Sequence, residues 1–260
     1  MTPPGASTRS RRGGNSRYMK REFVLVEPAL PENIGAAARA IKTMGEGALV
    51  LVNPACSLTG KARWVAHGAT DILESAPIYG SVADAIAGAD ISVATTSKQR
   101  SVRCDPVVSG SLYHFLDDRV GSTGRVAILF GREESGLTND AIRLCDISSY
   151  IPMRQSYPSL NLGQAVMIYA YEMSRHQLTT PSGGKAMPAE VDDAPLSHLK
   201  AMAGEIVEGL GIPVSDARYG RIMERISLLS RSDRNLMLTI AARISMREEP
   251  GSGRGDSEES

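Results

Sequence analysis

Apolar residues along the chain follow two alternating rhythms. Short runs rich in β-branched side chains occur at 23–27 (FVLVE), 48–52 (ALVLV), 91–95 (ISVAT), 126–130 (VAILF) and 150–152 (YIP). Each is of strand length and flanked by turn-forming residues. Between them apolar positions recur at helical spacing, which predicts helices at about 32–44, 61–75, 81–88, 138–145 and 160–177. Strands alternating with helices are the pattern of an α/β fold, a parallel sheet covered by helices. Thr138, with Asp140 in the first turn, marks one helix start, and Pro158 precedes the last and longest helix.

The pattern changes after residue 178. A Pro/Gly/acid-rich linker over 179–195 is followed by helical spacing at 196–210, 216–229 and 232–247, where Ser232 is a candidate cap and Leu236, Ile240 and Ile244 share one face. Arg218, Arg221 and Arg225 form one stripe on the middle helix, read either as a solvated face or as a phosphate-contacting one. The formal net charge of the 260 residues is zero, but the ends oppose each other. Residues 1–21 form a basic tail without acids and 248–260 an acidic one, both of disordered composition.

Composition narrows the chemistry. The three cysteines, Cys56, Cys104 and Cys145, are widely spaced and form no Cys/His cluster, so neither a disulfide framework nor a metal site is expected. No apolar run reaches the about 20 residues that cross a bilayer, and residues 1–20 lack the apolar centre of a signal peptide. A soluble cytoplasmic protein is the expectation. No GxxxxGK[ST] loop exists, and Gly45 and Gly47 precede a strand where a dinucleotide fingerprint follows one. None of the four histidines stands in a nucleophile or metal motif.

Three segments place glycine or small polar residues at the C-terminal ends of predicted strands, where open α/β sheets bind ligands. In PENIGAAARAIKTMG (31–45), Asn33 and Gly35 open a helix and Arg39 follows about one turn later. Alanines let a helix approach its neighbours, whereas a long charged side chain is seldom buried unless paired. Arg39 therefore either snorkels to water or faces a working cleft. In LFGREESGLT (129–138), Gly131 permits a sharp turn or close approach to a ligand, and Glu133 sets a carboxylate beside it. In IPMRQSYPSLNLGQAV (151–166), a loop carrying Tyr157, Pro158, Ser159 and Asn161 enters a helix whose free N–H groups bind polar atoms or are simply capped.

In order, spacing and wording these segments resemble those of the SPOUT-class (SpoU/TrmH-type) RNA 2′-O-ribose methyltransferases, and within that class the bacterial TrmJ group of tRNA methyltransferases. The resemblance spans residues 22–178 and includes LVNP (51–54), HGATDIL (67–73) and TTSKQR (95–100). RIMERISLL and NLMLTIAARI resemble the group's helical extension more loosely. It implies a parallel sheet with helices on both faces, a C-terminal trefoil knot, a helical extension over 196–247, and a homodimer in which one subunit's arginine completes the other's site.

By the same resemblance, S-adenosylmethionine is held by Thr95, Thr96, Ser97, Gly131, Glu133, Ile151, Ser159, Leu160 and Asn161. Glu133 either faces the sulfonium or stabilises its loop. Arg39 is the catalytic residue, helped by Asn33 and by Ser159 or Tyr157, while Arg39, Arg100, Arg132 and Arg154 meet tRNA. The implied reaction is methylation of the ribose 2′-hydroxyl of nucleotide 32 in the anticodon loop. The alternatives are rRNA or another tRNA position, or a catalytically silent RNA-binding module. The group makes the arginine a base, but a guanidinium of pKa above about 12 suits an oxyanion-stabilising role better. Pro158 departs from the group, which commonly has serine there.

Overall fold

The computed structural model describes residues 19–45, 47–97, 105–121, 124–155, 159–179 and 196–245. Arg100, Cys104, Tyr157, Pro158, residues 180–195 and nearly all of both tails lie outside them. One sheet carries seven strands, β1 (Lys20–Val26), β2 (Ala48–Val52), β3 (Ile78–Tyr79), β4 (Ile91–Thr96), β5 (Val107–Val108), β6 (Arg125–Phe130) and β7 (Ile147–Tyr150), in the order β3-β2-β1-β6-β4-β7-β5. Every ladder in it is parallel, as the alternating pattern predicts. The sheet opens earlier than expected: Lys20 and Arg21, read from composition as tail, pair with Arg125 and Val126. Arg21 is buried, its guanidinium 5.6 Å from the centre of the Tyr113 ring.

Successive strand residues point to opposite faces, and both faces are covered. Phe23, Leu25, Leu51, Ile128 and Phe130 pack under α1 (Pro31–Met44), α5 (Ser109–Val120) and α7 (Leu162–Thr179). Val24, Val26, Val50, Val52 and Leu129 face α4 (Val82–Ile86) and α6 (Asn139–Leu144). The expected cap on α6 is in place, with Thr138 Oγ1 accepting from the Ala141 amide at 3.2 Å. Helix α1 shows why its sequence is so poor in bulk. Gly35 lies against the backbone of α2 (Lys61–Val65), where a Cβ would overlap the Ala62 carbonyl, and Ala37, Ala38 and Ala40 are buried. The same α1 packs closely on α7.

Three departures from the periodic pattern have local causes. The single helix expected over 61–75 is two, α2 and α3 (Thr70–Glu74), because Gly68 between them takes φ +79°. Strand β7 occupies 147–150 rather than 150–152, the chain leaving the sheet before Pro152. Helix α5 stands where no helix was expected, although its buried Leu112, Leu116 and Val120 fall at i, i+4 and i+8.

The C-terminal helices α8 (Leu196–Gly209), α9 (Ala217–Ser227) and α10 (Arg231–Ser245) extend the same core, with Leu196, Leu199, Ile226 and Ala241 joining it. They are fastened at the N-terminal ends of the central strands. Asp146 accepts from the Ser92 amide and hydroxyl, each at 2.8 Å, from Lys200 Nζ at 2.8 Å and from Ser227 Oγ at 2.9 Å. Asp90 accepts from the Arg125 and Ser197 amides, and its own carbonyl accepts from Lys200. In α10 it is Ser230, not Ser232, that accepts from the Asp233 amide. Leu236, Ile240 and Ile244 do share one face, but that face is exposed, and α10 packs instead through Ala241 and the buried Arg234. Arg234 donates to the Arg119 carbonyl at 2.7 Å, tying α10 to α5.

Candidate active site

The three glycine- and Asn-bearing segments converge at the C-terminal end of the sheet. The loop after β6 turns within six residues: the Gly136 amide donates to the Arg132 carbonyl at 2.9 Å, and a Cβ on Gly131 would overlap the Gly136 carbonyl. Only glycine leaves room for that return. The turn delivers Glu133 to the start of α1, where its carboxylate accepts from the Ala29 and Leu30 amides, both at 3.1 Å, and from Asn33 Nδ2 at 2.9 Å. It thereby caps the positive end of the helix.

A chain of side-chain amides carries this connection further. Asn33 Oδ1 accepts from Asn161 Nδ2 at 2.8 Å, and Asn161 Oδ1 accepts from the Gly163 amide at 2.8 Å, capping α7. Asn33 is 5% exposed, with both ends of its amide engaged. Burial raises the affinity of Glu133 for a proton, but the hydrogen bonds from Asn33 and from the Ala29, Glu133 and Leu30 amides outweigh it, so its pKa lies below the ordinary carboxylate value.

Beside this chain lies a cavity of about 340 Å³. Eight of the nine residues expected around a cofactor line it: Thr95, Thr96 and Ser97 after β4, Gly131 and Glu133 after β6, and Ile151, Ser159 and Leu160 after β7. Asn161 instead lines an adjoining groove of about 720 Å³ between α1 and α7, with Ala36, Arg39, Thr43 and Val65. Leu160 belongs to both walls. Pattern reading missed the apolar floor, Phe130, Leu162, Ala165 and Tyr169. The helical spacing of the last three in α7 was the available signal. Tyr169 is held by its hydroxyl, which donates to Ser149 Oγ at 2.9 Å, and burial pushes its pKa up.

The arginines divide. Arg39 is exposed between buried alanines, so it faces the groove, and it makes no hydrogen bond or ion pair among the described residues. Arg132 lines the cavity and pairs with Glu27 at 3.3 Å, whereas Arg154 lies exposed in the loop after β7. On α9, Arg218 is taken up by its own helix cap, bonding Asp216 at 2.7 Å and pulling that carboxyl down to about 2.

The lining suits a polar ligand with an apolar body. The Thr95 hydroxyl is spent on the Leu129 carbonyl at 2.7 Å, but the buried Thr96 Oγ1 at the cavity wall has no partner among the described residues. A buried polar atom left unsatisfied is costly unless a ligand meets it. The loops after β4, β6 and β7 all contribute residues to the same space. Among the described residues no cluster of metal-ligating side chains occurs, and no helix is long and apolar enough to cross a membrane.

A parallel sheet with a ligand cavity at its C-terminal edge, built from three loops and flanked by an exposed arginine, has the layout of a cofactor-binding α/β enzyme. Comparison with known proteins makes the class specific. Residues 20–171 match the model of the SpoU rRNA methylase family, and the chain belongs to that family. It is 35% identical over 215 residues to the uncharacterized tRNA/rRNA methyltransferase LasT of Escherichia coli, covering 83% of this chain and 92% of that one. It is 37% identical over 214 residues to the tRNA (cytidine/uridine-2′-O-)-methyltransferase TrmJ of Yersinia enterocolitica, covering 80% and 82% of the two chains. The crystal structure of TrmJ from Z. mobilis superposes with a TM-score of 0.59 at 28% identity, covering 86% of this chain and 99% of that one. The protein is thus a methyltransferase whose cofactor is S-adenosylmethionine.

Proposed function

We propose that this enzyme methylates the ribose 2′-hydroxyl of tRNA at nucleotide 32 of the anticodon loop, acting in the cytoplasm as a homodimer with a knotted cofactor site. The observation that carries the reading is the placement of Arg39: an exposed guanidinium without a partner among the described residues, in a groove that shares Leu160 with the cavity. The TrmJ relatives support tRNA as substrate. The convergence of the loops after β4, β6 and β7 on one cavity supports the knot, and the open groove between α1 and α7 supports the second subunit.

In the cavity, Thr96 Oγ1 would hydrogen-bond the cofactor, and the Phe130–Tyr169 floor would take its apolar parts. Bound S-adenosylmethionine supplies an electrophilic methyl group. Arg39 clamps the phosphate beside the target ribose with two N–H groups and stabilises the negative charge that develops on the 2′-oxygen as its proton departs to solvent. A guanidinium of pKa above about 12 has no business accepting that proton itself. Asn33, its amide consumed by Glu133 and Asn161, is a positioning residue that fixes α1, and hence Arg39, against the cofactor loops. Ser159 and Tyr157 would orient the ribose, and Arg100, Arg132 and Arg154 would meet the RNA backbone.

The test incubates wild type, Arg39→Ala and Arg39→Lys with S-adenosylmethionine and unmodified bulk tRNA, then maps new 2′-O-methyl groups by nuclease digestion and mass spectrometry. Wild type is expected to modify nucleotide 32, and Arg39→Ala to lose activity by about a hundredfold or more. Arg39→Lys should stay close to the alanine variant, because an ammonium cannot make the forked contact. Near-normal turnover by Arg39→Lys would refute the two-pronged clamp, and methylation of rRNA alone would move the substrate.

A further inference from the structure

We propose that Glu134 recognises the positive charge of S-adenosylmethionine, and that Glu27 is a positioning residue that keeps Arg132 from cancelling it. Together the two carboxylates make the cavity favour the cationic cofactor over its demethylated product. The inference rests on the cofactor site alone and holds whichever RNA is methylated. The two forms of the cofactor differ by one methyl group and one positive charge, both at the sulfur. A wall that tells them apart by charge needs a carboxylate that is not already committed.

Among the described residues three charged side chains line the cavity, Arg132, Glu133 and Glu134, consecutive in the loop after β6. Glu133 is committed, because its oxygens accept from the Ala29 and Leu30 amides and from Asn33, and the positive end of α1 meets its charge. Arg132 is committed to Glu27 at 3.3 Å. Glu134 is exposed, and its carboxylate makes no hydrogen bond or ion pair among the described residues. It is what the wall has left to offer a cation. A cavity of about 340 Å³ is roughly 9 Å across, about one Debye length at physiological salt, so a charge on its wall is felt throughout it.

The commitment of Arg132 is set by the backbone. Glu27 follows β1 directly and has φ +51°, in the left-handed region that a side chain such as glutamate enters at a cost. The other non-glycine residue with positive φ among the described residues is Asn53, of a type enriched there. Strand β2 fixes the turn, since the Glu27 amide donates to the Val52 carbonyl at 2.8 Å. The Glu27 carboxylate thereby reaches the loop after β6, the neighbour of β1 on its other side. Without that carboxylate, Arg132 would offer Glu134, two residues along the same wall, an internal counter-charge. Backbone strain of this kind persists where the surrounding structure enforces it, and it clusters at ligand sites.

Calorimetric titration of the full-length protein without RNA tests the assignment. Three ligands are compared: S-adenosylmethionine, S-adenosylhomocysteine, which lacks the charge at sulfur, and sinefungin, which carries an ammonium in place of the methylated sulfur. Glu134→Gln should bind the two cationic ligands about threefold more weakly and S-adenosylhomocysteine as wild type does, the size expected of an exposed charge pair. Glu27→Gln, which keeps the side-chain shape and the backbone turn, should show the same selective loss. Adding Arg132→Gln to Glu27→Gln should restore the affinity for S-adenosylmethionine. Retained S-adenosylhomocysteine binding shows in each variant that the site is folded. In wild type, raising salt from about 0.05 to 0.5 M should weaken S-adenosylmethionine more than S-adenosylhomocysteine. Equal losses for all three ligands, equal salt responses, or no loss at all would overturn the charge recognition. A Glu27→Gln defect that Arg132→Gln leaves uncorrected would overturn the positioning role of Glu27. Failure of wild type to bind any of the three would strike the cofactor assignment itself.

Discussion

Each end of the sheet has a carboxylate that gathers segments far apart in the chain, and the two differ in what they gather. At the N-terminal end Asp146 holds Lys200 along with the hydroxyls of Ser92 and Ser227, so its charge meets an opposite charge and the helical extension closes over the strands. At the C-terminal end Glu133 collects two backbone amides and Asn33, all formally neutral donors, and the surface beside it stays open as a cavity and a groove. Salt-bridging fastens one end shut. At the other, Glu133 orders the loops through neutral donors without covering the surface, which is what a site that must admit a cofactor and a long polymer requires.

The difference is easiest to break at Asp146. Asp146→Ala leaves Lys200, only 19% exposed in its side chain, without a carboxylate, and should cost about 3 kcal/mol in urea unfolding. Methyl transfer per folded molecule should stay near wild type. A fall in turnover larger than the fall in folded fraction would mean that the two ends are coupled. Asn33→Ala tests the opposite end. It leaves Glu133 Oε1 with the Leu30 amide but without its side-chain donor and strands Asn161 Nδ2, so stability should drop by about 1–2 kcal/mol. Turnover should drop by about a hundredfold through misplacement of Arg39. If only stability moves, Asn33 holds the fold and not the geometry.

Glu133→Gln gives the smallest and most diagnostic effect. The depressed pKa of Glu133 means that the folded state favours its ionised form, so the carboxylate's contribution is present above the ordinary value of 4.5 and is lost as pH falls through the lower folded value. The glutamine variant should be less stable at neutral pH and show a flatter loss of stability on acidification, read from thermal melts across that range. An unchanged acid limb would locate the acid sensitivity elsewhere, with Asp216 as the next carboxyl to replace, since Arg218 holds it at about 2.

Much of this layout can be read from the chain alone, and the exceptions share a cause. β-Branched runs announce the central strands because a strand buried on both faces has to be apolar throughout. The two-residue strands β3 and β5 are too short to carry a periodic signal. Gly131 was legible as a residue that lets a chain turn sharply or approach a ligand after a strand, whereas Thr96 was reached only through the family resemblance. What Glu133 touches was not legible, since its partners lie 100 or more residues away and only the closed sheet brings them together.

The Glu133–Asn33–Asn161 chain also has a consequence for assembly in time. Its links join residues separated by 100 and 128 positions, so closing them requires ordering a long loop of chain before the contact returns any energy. On the ribosome, where N-terminal segments emerge first, helix α1 and its arginine are made early and wait for a cap that arrives only when Glu133 and then Asn161 have been synthesised. A chain stalled before residue 161 therefore carries the arginine without the geometry that aims it.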